Sequence, residues 1–371
     1  MRKLSYLAAV LVLLPACGPS DRETAEPPID LEPVSGGTLT VAVDSDPGTL
    51  NPVLRRTALA GSILGEINDG LIEMNPLLEF EPGLAKRWTW SDDGLEVTYH
   101  LRSDVEWSDG ERFSSRDVLE TWRLFTNDEV PTPWRSNFAQ IENVTAPDDT
   151  TVVFRFTERS LENLFNSGFS LLPAHVLDEL DPSRIEQWDI NRQPLSMGPY
   201  MVTDWRTNDR LILERNPRYS GPPALLDRIV FKVVPEEATR LLQLEIGEAD
   251  MIESVPVKDI TRLRENPDIR LVDMGPRYMG YLVYNLQRPG LDDARVRNAI
   301  SYAIDRRAFV EGLLFGFARS IANPMTPIVA WAYNDDLEPH QRDPDRARAL
   351  LAEAGWVDTD GDGIVDKDGV P

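Results

Sequence analysis

The run MGPYMVTDWRTNDRLILERNPRY, Met197 to Tyr219, holds two β-favouring segments on either side of a turn. Gly198-Pro199 breaks the chain before Tyr200 to Trp205. Thr207-Asn208-Asp209 then supplies the residues a tight reversal needs ahead of Leu211 to Arg215. The pattern predicts a hairpin. Asn216-Pro217 ends its second strand, and past the Gly221-Pro222-Pro223 break, Ile229 to Val234 reads IVFKVV. That run is too continuously apolar for a sheet edge and predicts a buried strand. The three strands are expected to build the middle of a sheet.

Upstream, Gly36-Gly37 opens the strand Thr38 to Val43, and Leu59, Ile63, Leu64 and Ile67 recur at helical spacing as one core-facing stripe. From Gly70 to Asn191 the chain reads as a second unit. Short strands flank an Asp93-Gly94 turn, and Ser114 with Asp117 forms a capping box that opens a helix carrying Val118, Trp122 and Phe125 on one face. Thr151 to Phe156 predicts a strand and Pro173 to Leu180 a helix with proline in its first turn. Downstream of the hairpin, Glu236 to Ile246 is an apolar-faced helix stopped by Gly247, with a strand around Met251-Ile252 and further strands expected at Ile269 to Met274 and Tyr278 to Leu286. Asp292 to Arg306 predicts another helix, and Asp343-Pro344 caps a last one ending at Gly355.

Four of these stretches resemble one family. GPY, ERNPRY and DRIVFKVVP (Gly198 to Pro235) are similar to a mid-chain block of the bacterial extracellular solute-binding proteins of family 5, the oligopeptide- and dipeptide-binding subunits of ABC importers. GGTLTV with DPGTLNP (Gly36 to Pro52) resembles the opening of that family. DDGLEVTYHLRSDVEWSDGERFSSRDV (Asp92 to Val118) is the most specific match, with agreement spread over more than twenty positions. DDARVRNAISYAIDR (Asp292 to Arg306) resembles a further block, in which Arg297 and Asp305 are expected to make structural ion pairs.

The chain has 371 residues, is 42% hydrophobic and carries a formal net charge of -24, with 62 acidic against 38 basic side chains. It is long enough for two or three cores. Its acidity disfavours nucleic acid and anionic lipid, both of which need clustered Lys or Arg. Arg2-Lys3, the apolar run Leu7 to Leu14 and Pro15-Ala16-Cys17 read as a secretory leader, too short to span a membrane. Cys17 is the single cysteine, so no internal disulfide can form. Leu14 to Cys17 resembles a lipoprotein box in which Cys17 becomes the lipidated first residue; the alternative is cleavage after Ala16 with a free thiol. The Pro- and Glu-rich segment from Gly18 to Ser35 is expected to be a solvated tether.

No catalytic pattern emerges. His100, His175 and His340 lie far apart, and no P-loop, GxGxxG or GxSxG occurs, so the chain is expected not to be an enzyme. Asp358, Asp360, Asp362 and Asp366 stand at positions 1, 3, 5 and 9 of a loop with Gly363 at 6, an alternation that suits a hard cation such as Ca²⁺. Its twelfth position is Gly369 rather than Glu, and the other reading is a solvated Asp/Gly turn. No other cofactor is expected.

The resemblance implies an α/β, two-lobed periplasmic-binding-protein fold of type II with an extra domain in the first lobe, closing on ligand by a hinge. The implied division is 1–16 signal peptide, 17–35 lipid-anchored tether, 36–69 and 195–275 the core of lobe I, 70–194 the extra domain, and 276–371 a truncated second lobe. Relatives continue well beyond the position of Pro371, so the chain is expected to be C-terminally incomplete, its last helices lacking a sheet to pack on. The implied role is capture of peptides in the periplasm or at the cell surface for an ABC permease and its ATPases, by a membrane-anchored lipoprotein acting as a monomer. A non-peptide solute (a metal chelate or an oligosaccharide), or an adhesin or sensor role on the same fold, remains the alternative. Cleft-wall positions carried over from the family are Arg56, Thr57, Ala58, Trp134, Phe138, Tyr278, Tyr281 and Asn285, each aromatic among them being equally readable as core.

Overall fold

The computed structural model describes residues 34–75, 79–273, 279–329 and 332–367. Strands β1 (Thr38–Val43), β2 (Ile72–Met74), β3 (Phe80–Pro82), β4 (Ala85–Trp90), β5 (Glu96–Leu101), β6 (Ile141–Asp148) and β7 (Thr151–Phe156) precede the hairpin β8 (Tyr200–Arg206) and β9 (Arg210–Arg215). Strands β10 (Arg228–Val233) and β11 (Met251–Ile252) follow it. The helices are α1 (Ala58–Ile67), α2 (Ser115–Thr126), α3 (Glu162–Ser167), α4 (Ala174–Leu177), α5 (Glu237–Glu245), α6 (Ile260–Arg264), α7 (Ala294–Ala303), α8 (Arg306–Leu313) and α9 (Pro344–Glu353).

The hairpin turns through Asn208, whose φ of 57° is the left-handed conformation that asparagine tolerates well. Its place in the sheet differs from the expectation. The strand order is β11-β1-β10-β9-β8, so β8 is an edge and the middle is β1, β10 and β9. The continuously apolar run forms β10, an interior strand flanked by β1 in parallel and β9 in antiparallel. Helix α1 covers this sheet with Leu59, Ala60, Ile63, Leu64 and Ile67, packing with Val41, Val43, Leu211, Leu213 and Phe231.

A second sheet, order β4-β5-β7-β6, is antiparallel throughout. Helix α2 is opened by the capping box: Ser114 N–H donates to Asp117 at 2.7 Å, and the Ser114 hydroxyl accepts from the first turn. Its core holds fully buried Trp107, Tyr99, Phe154 and Phe156. Strand β6 escaped the sequence reading because Glu142, Asn143, Pro147 and Asp148 give it neither alternation nor β-favouring composition. Helix α4 is a single turn preceded by Pro173, shorter than the helix expected there.

The strands expected at 269–274 and 278–286 are not formed among the described residues, 269–273 and 279–286. Tyr281, Leu282 and Val283 are instead solvent-exposed, having no neighbouring strand to complete a ladder. Helices α7 and α9 bury Ala299 against Ala347 and Leu350, with Tyr302 and Leu351 alongside, so the two apolar faces cover one another in the absence of a sheet. Among the described residues Arg297 makes no ion pair. Its guanidinium donates to the carbonyls of Leu291 and Asp292 at 2.8 and 2.9 Å, while Asp305 caps α8 through the Ala308 N–H and lies 3.8 Å from Arg342. No helix among the described residues is long and apolar enough to cross a membrane.

Candidate functional site

The segment from Asp44 to Thr57, between β1 and α1, is held rigid by side chains that satisfy its backbone. The Asp46 carboxylate accepts from Gly48 N–H at 2.9 Å, from Trp205 Nε1 at 3.0 Å and from Asn208 N–H at 3.1 Å, tying the segment to the hairpin. Buried Asn51 donates to the Asn191 side chain at 2.9 Å and accepts from Val53 N–H at 2.9 Å. Its carbonyl takes the N–H groups of Leu54 and Arg55. Thr57 caps α1, its hydroxyl accepting from Ala60 N–H at 3.1 Å. A polar segment so fully bonded presents its remaining side chains in fixed directions.

Two cavities share this segment as a wall. The larger, about 620 Å³, is lined by Asp46, Gly48, Arg56, Thr57, Trp188 and Arg192 among others. Arg192 lies flat over Trp205, 3.9 Å from the ring centroid. The smaller, about 270 Å³, is lined by Arg55, Trp134, Phe125, Phe138, Asn166 and Phe169 among others. Trp134 donates through Nε1 to the Arg55 carbonyl at 3.0 Å, and the Arg55 guanidinium sits 4.4 Å above its ring. Burial lowers the pKa of that guanidinium below the usual arginine range. Phe138 is only 5% exposed and stacks on Phe125 at 4.4 Å, so it closes the floor of the cavity as part of the core.

The residues expected at the cleft therefore divide. Arg56 and Thr57 line the larger cavity, and Trp134 and Phe138 the smaller. Ala58 is exposed at the start of α1 and lines neither. Tyr281 is 72% exposed, and Asn285 accepts from Gln287 N–H in a turn; these too lie outside both cavities. Tyr278 and Cys17 fall outside the described residues. Arg55 and Arg192 were not anticipated. The one sequence signal for Arg55 was its adjacency to Arg56, because consecutive side chains of an extended segment face opposite ways.

Near the smaller cavity, where α1 hands over to β2, the Asp69 carboxyl is pushed up to about 6, by burial first and by the neighbouring Glu73 charge second, with Arg102 pulling the other way. In the acidic loop, one carboxylate oxygen from each of Asp358, Asp360 and Asp362 lies within 4.8 Å of the others. These groups also accept N–H bonds from their own turn: Asp358 from Gly361 and Gly363, Asp360 from Asp362, and Asp362 from Ile364. Asp366 is not part of that cluster, and its carboxylate accepts from the Thr359 N–H and hydroxyl.

The family description "Bacterial extracellular solute-binding proteins, family 5 Middle" matches residues 79–370. The chain is 30% identical over 309 residues to the dipeptide-binding protein of Escherichia coli K12, covering 76% of this chain and 57% of that protein. It is 26% identical over 375 residues to heme-binding protein A of Haemophilus influenzae, covering 94% and 68%. It is similar to the solved structure of the oligopeptide-binding protein AppA of Bacillus subtilis in complex with a nonapeptide, with a TM-score of 0.77 and 26% identity, covering 91% of this chain and 68% of that one.

Proposed function

Because the chain belongs to the bacterial extracellular solute-binding proteins of family 5, with the two-lobed type II fold of its solved relatives, we propose that it captures peptides outside the cytoplasmic membrane and delivers them to an ABC permease. The family is one of binding proteins and not of enzymes. The observation that carries the peptide reading is the likeness, over most of the chain, to a solved protein holding a nonapeptide. The larger cavity supports it: about 620 Å³ lies within the several-hundred-Å³ range of small-ligand sites, and its wall mixes carboxylates, guanidinium groups and amides with the Trp188 ring. Arg56 and Thr57 form one wall of the peptide cleft in this reading. Closure of a second lobe over the ligand completes the site.

Attachment through a lipidated Cys17 belongs to the same proposal, with residues 18–35 as the tether. Native mass spectrometry of freshly purified protein is expected to find a co-purified peptide. A preparation that carries none, and that binds no di-, tri- or tetrapeptide by calorimetry, overturns the peptide reading. Cys17→Ser should release the protein from membranes; a variant that still fractionates with them removes the lipid anchor from the proposal.

A further inference from the structure

Arg55 is unusual in a chain with 62 acidic side chains against 38 basic ones. Among the described residues its guanidinium makes no hydrogen bond and no ion pair, although it is half-buried. Its five N–H donors cannot be lost by deprotonation, so removing them from water without an acceptor is unfavourable. Stacking on Trp134 at 4.4 Å compensates in part. Room for this arrangement comes from Gly61 on α1: a Cβ there would stand 3.3 Å from the Arg55 Nη1 atom. The cation lies between the Trp134 ring and a helix glycine, and among the described residues no acceptor meets its donors.

The cavity it lines is otherwise largely apolar. Phe125, Phe138 and Phe169 form its interior, and Phe165, 58% exposed, stands at its rim. Asn137, Asn166 and Ser170 add neutral polar groups, and Glu73 is the one acidic residue of the lining. Glu73 accepts from Gly70 N–H at 2.7 Å and makes no ion pair with Arg55. At about 270 Å³ the space suits one large side chain and not a whole ligand.

We propose that the ligand presents an oxyanion joined to an apolar group, the oxyanion docking on Arg55 and the apolar group entering the aromatic cavity beside Trp134. This deepens the peptide reading and rests on it: the matching class is a peptide ending in a bulky apolar residue with a free carboxylate. A guanidinium fork pairs with a carboxylate through two parallel N–H bonds, and a half-buried setting strengthens both.

Calorimetry on the full chain with Ala-Ala-Phe and with its C-terminal amide separates the two ideas, since the amide keeps the ring and loses the charge. The acid is expected to bind at least tenfold more tightly. Arg55→Gln should shrink that ratio below threefold, Arg55→Lys should leave it intermediate, and Arg307→Gln, on an exposed face of α8, should leave it unchanged. Equal binding of acid and amide by the wild-type protein overturns the inference and leaves the peptide reading standing, whether or not the Arg55 variants fold. A ratio that survives in folded Arg55→Gln overturns it as well. Failure of both peptides, together with the absence of any co-purified one, overturns the peptide reading and the inference with it.

Discussion

Residues 34–252 and residues 279–367 use the same helix-forming devices and arrive at different packing. In the first region Ser114 caps α2 and Thr57 caps α1, and each helix lays its apolar stripe on a sheet. In the second, Asp293 caps α7 and Asp343 caps α9 just as well, yet the buried apolar residues reduce to a few around Ala299, Ala347 and Leu350. Phe309, Leu313, Phe315 and Val283 stay more than half exposed. Caps and periodicity define a helix locally, whereas burial requires a partner surface.

The contrast breaks if core truncations in the two regions cost the same. Phe154→Ala removes a fully buried ring that meets Tyr99 edge-on at 5.7 Å, and should destabilise by about 3–5 kcal/mol in urea unfolding. Leu350→Ala, in the small cluster between α7 and α9, should cost about 1–2 kcal/mol, because its thin surroundings collapse readily around the vacated volume. A Leu350→Ala loss as large as that of Phe154→Ala would mean that the second region has a core of comparable depth.

Asp69 sharpens the comparison from inside the well-packed region, since it is a place where burial works against stability. Its folded-state pKa of about 6 lies above the ordinary 3.8, so the favourable contribution is present below about pH 4 and is lost as pH rises through 6. Asp69→Asn should therefore stabilise at pH 8 by on the order of 1–2 kcal/mol, with the gain vanishing near pH 4. A pH-independent difference between variant and wild type would refute the assignment.

The smallest effect is expected in the acidic loop of the second region. Asp358, Asp360 and Asp362 are exposed and already accept N–H bonds from their own turn, so Asp360→Ala should cost less than about 0.5 kcal/mol. Millimolar Ca²⁺ should leave the melting temperature unchanged. An upward shift in the wild type that Asp360→Ala abolishes would turn the loop from a turn into a cation site.

What the sequence disclosed follows the same division. The hairpin was legible because Thr207-Asn208-Asp209 and the flanking strands carry local turn and β signals, α1 because its stripe recurs at helical spacing, and α2 because both its stripe and its capping box are written within a dozen residues. The strands expected at 269–274 and 278–286 are not formed at 269–273 and 279–286, because a β-favouring run such as Tyr281-Leu282-Val283 becomes a strand only where an edge is there to pair with it. The site was less legible than the fold. Arg56, Thr57 and Trp134 were nominated through resemblance alone, and nothing periodic in the Pro52 to Thr57 segment reveals which cavity each arginine faces.

The parallel pairing of β1 with β10 joins Thr38 to Arg228, and β1 also accepts β11 through Val41 and Met251. The sheet of β4 to β7, by contrast, closes entirely between residues 85 and 156. Chain-closure entropy then imposes an order of events: the local antiparallel sheet can assemble on its own, while the first strand must wait until some two hundred further residues have been made available. Until then β1 is an apolar segment without the sheet neighbours that cover it in the folded chain.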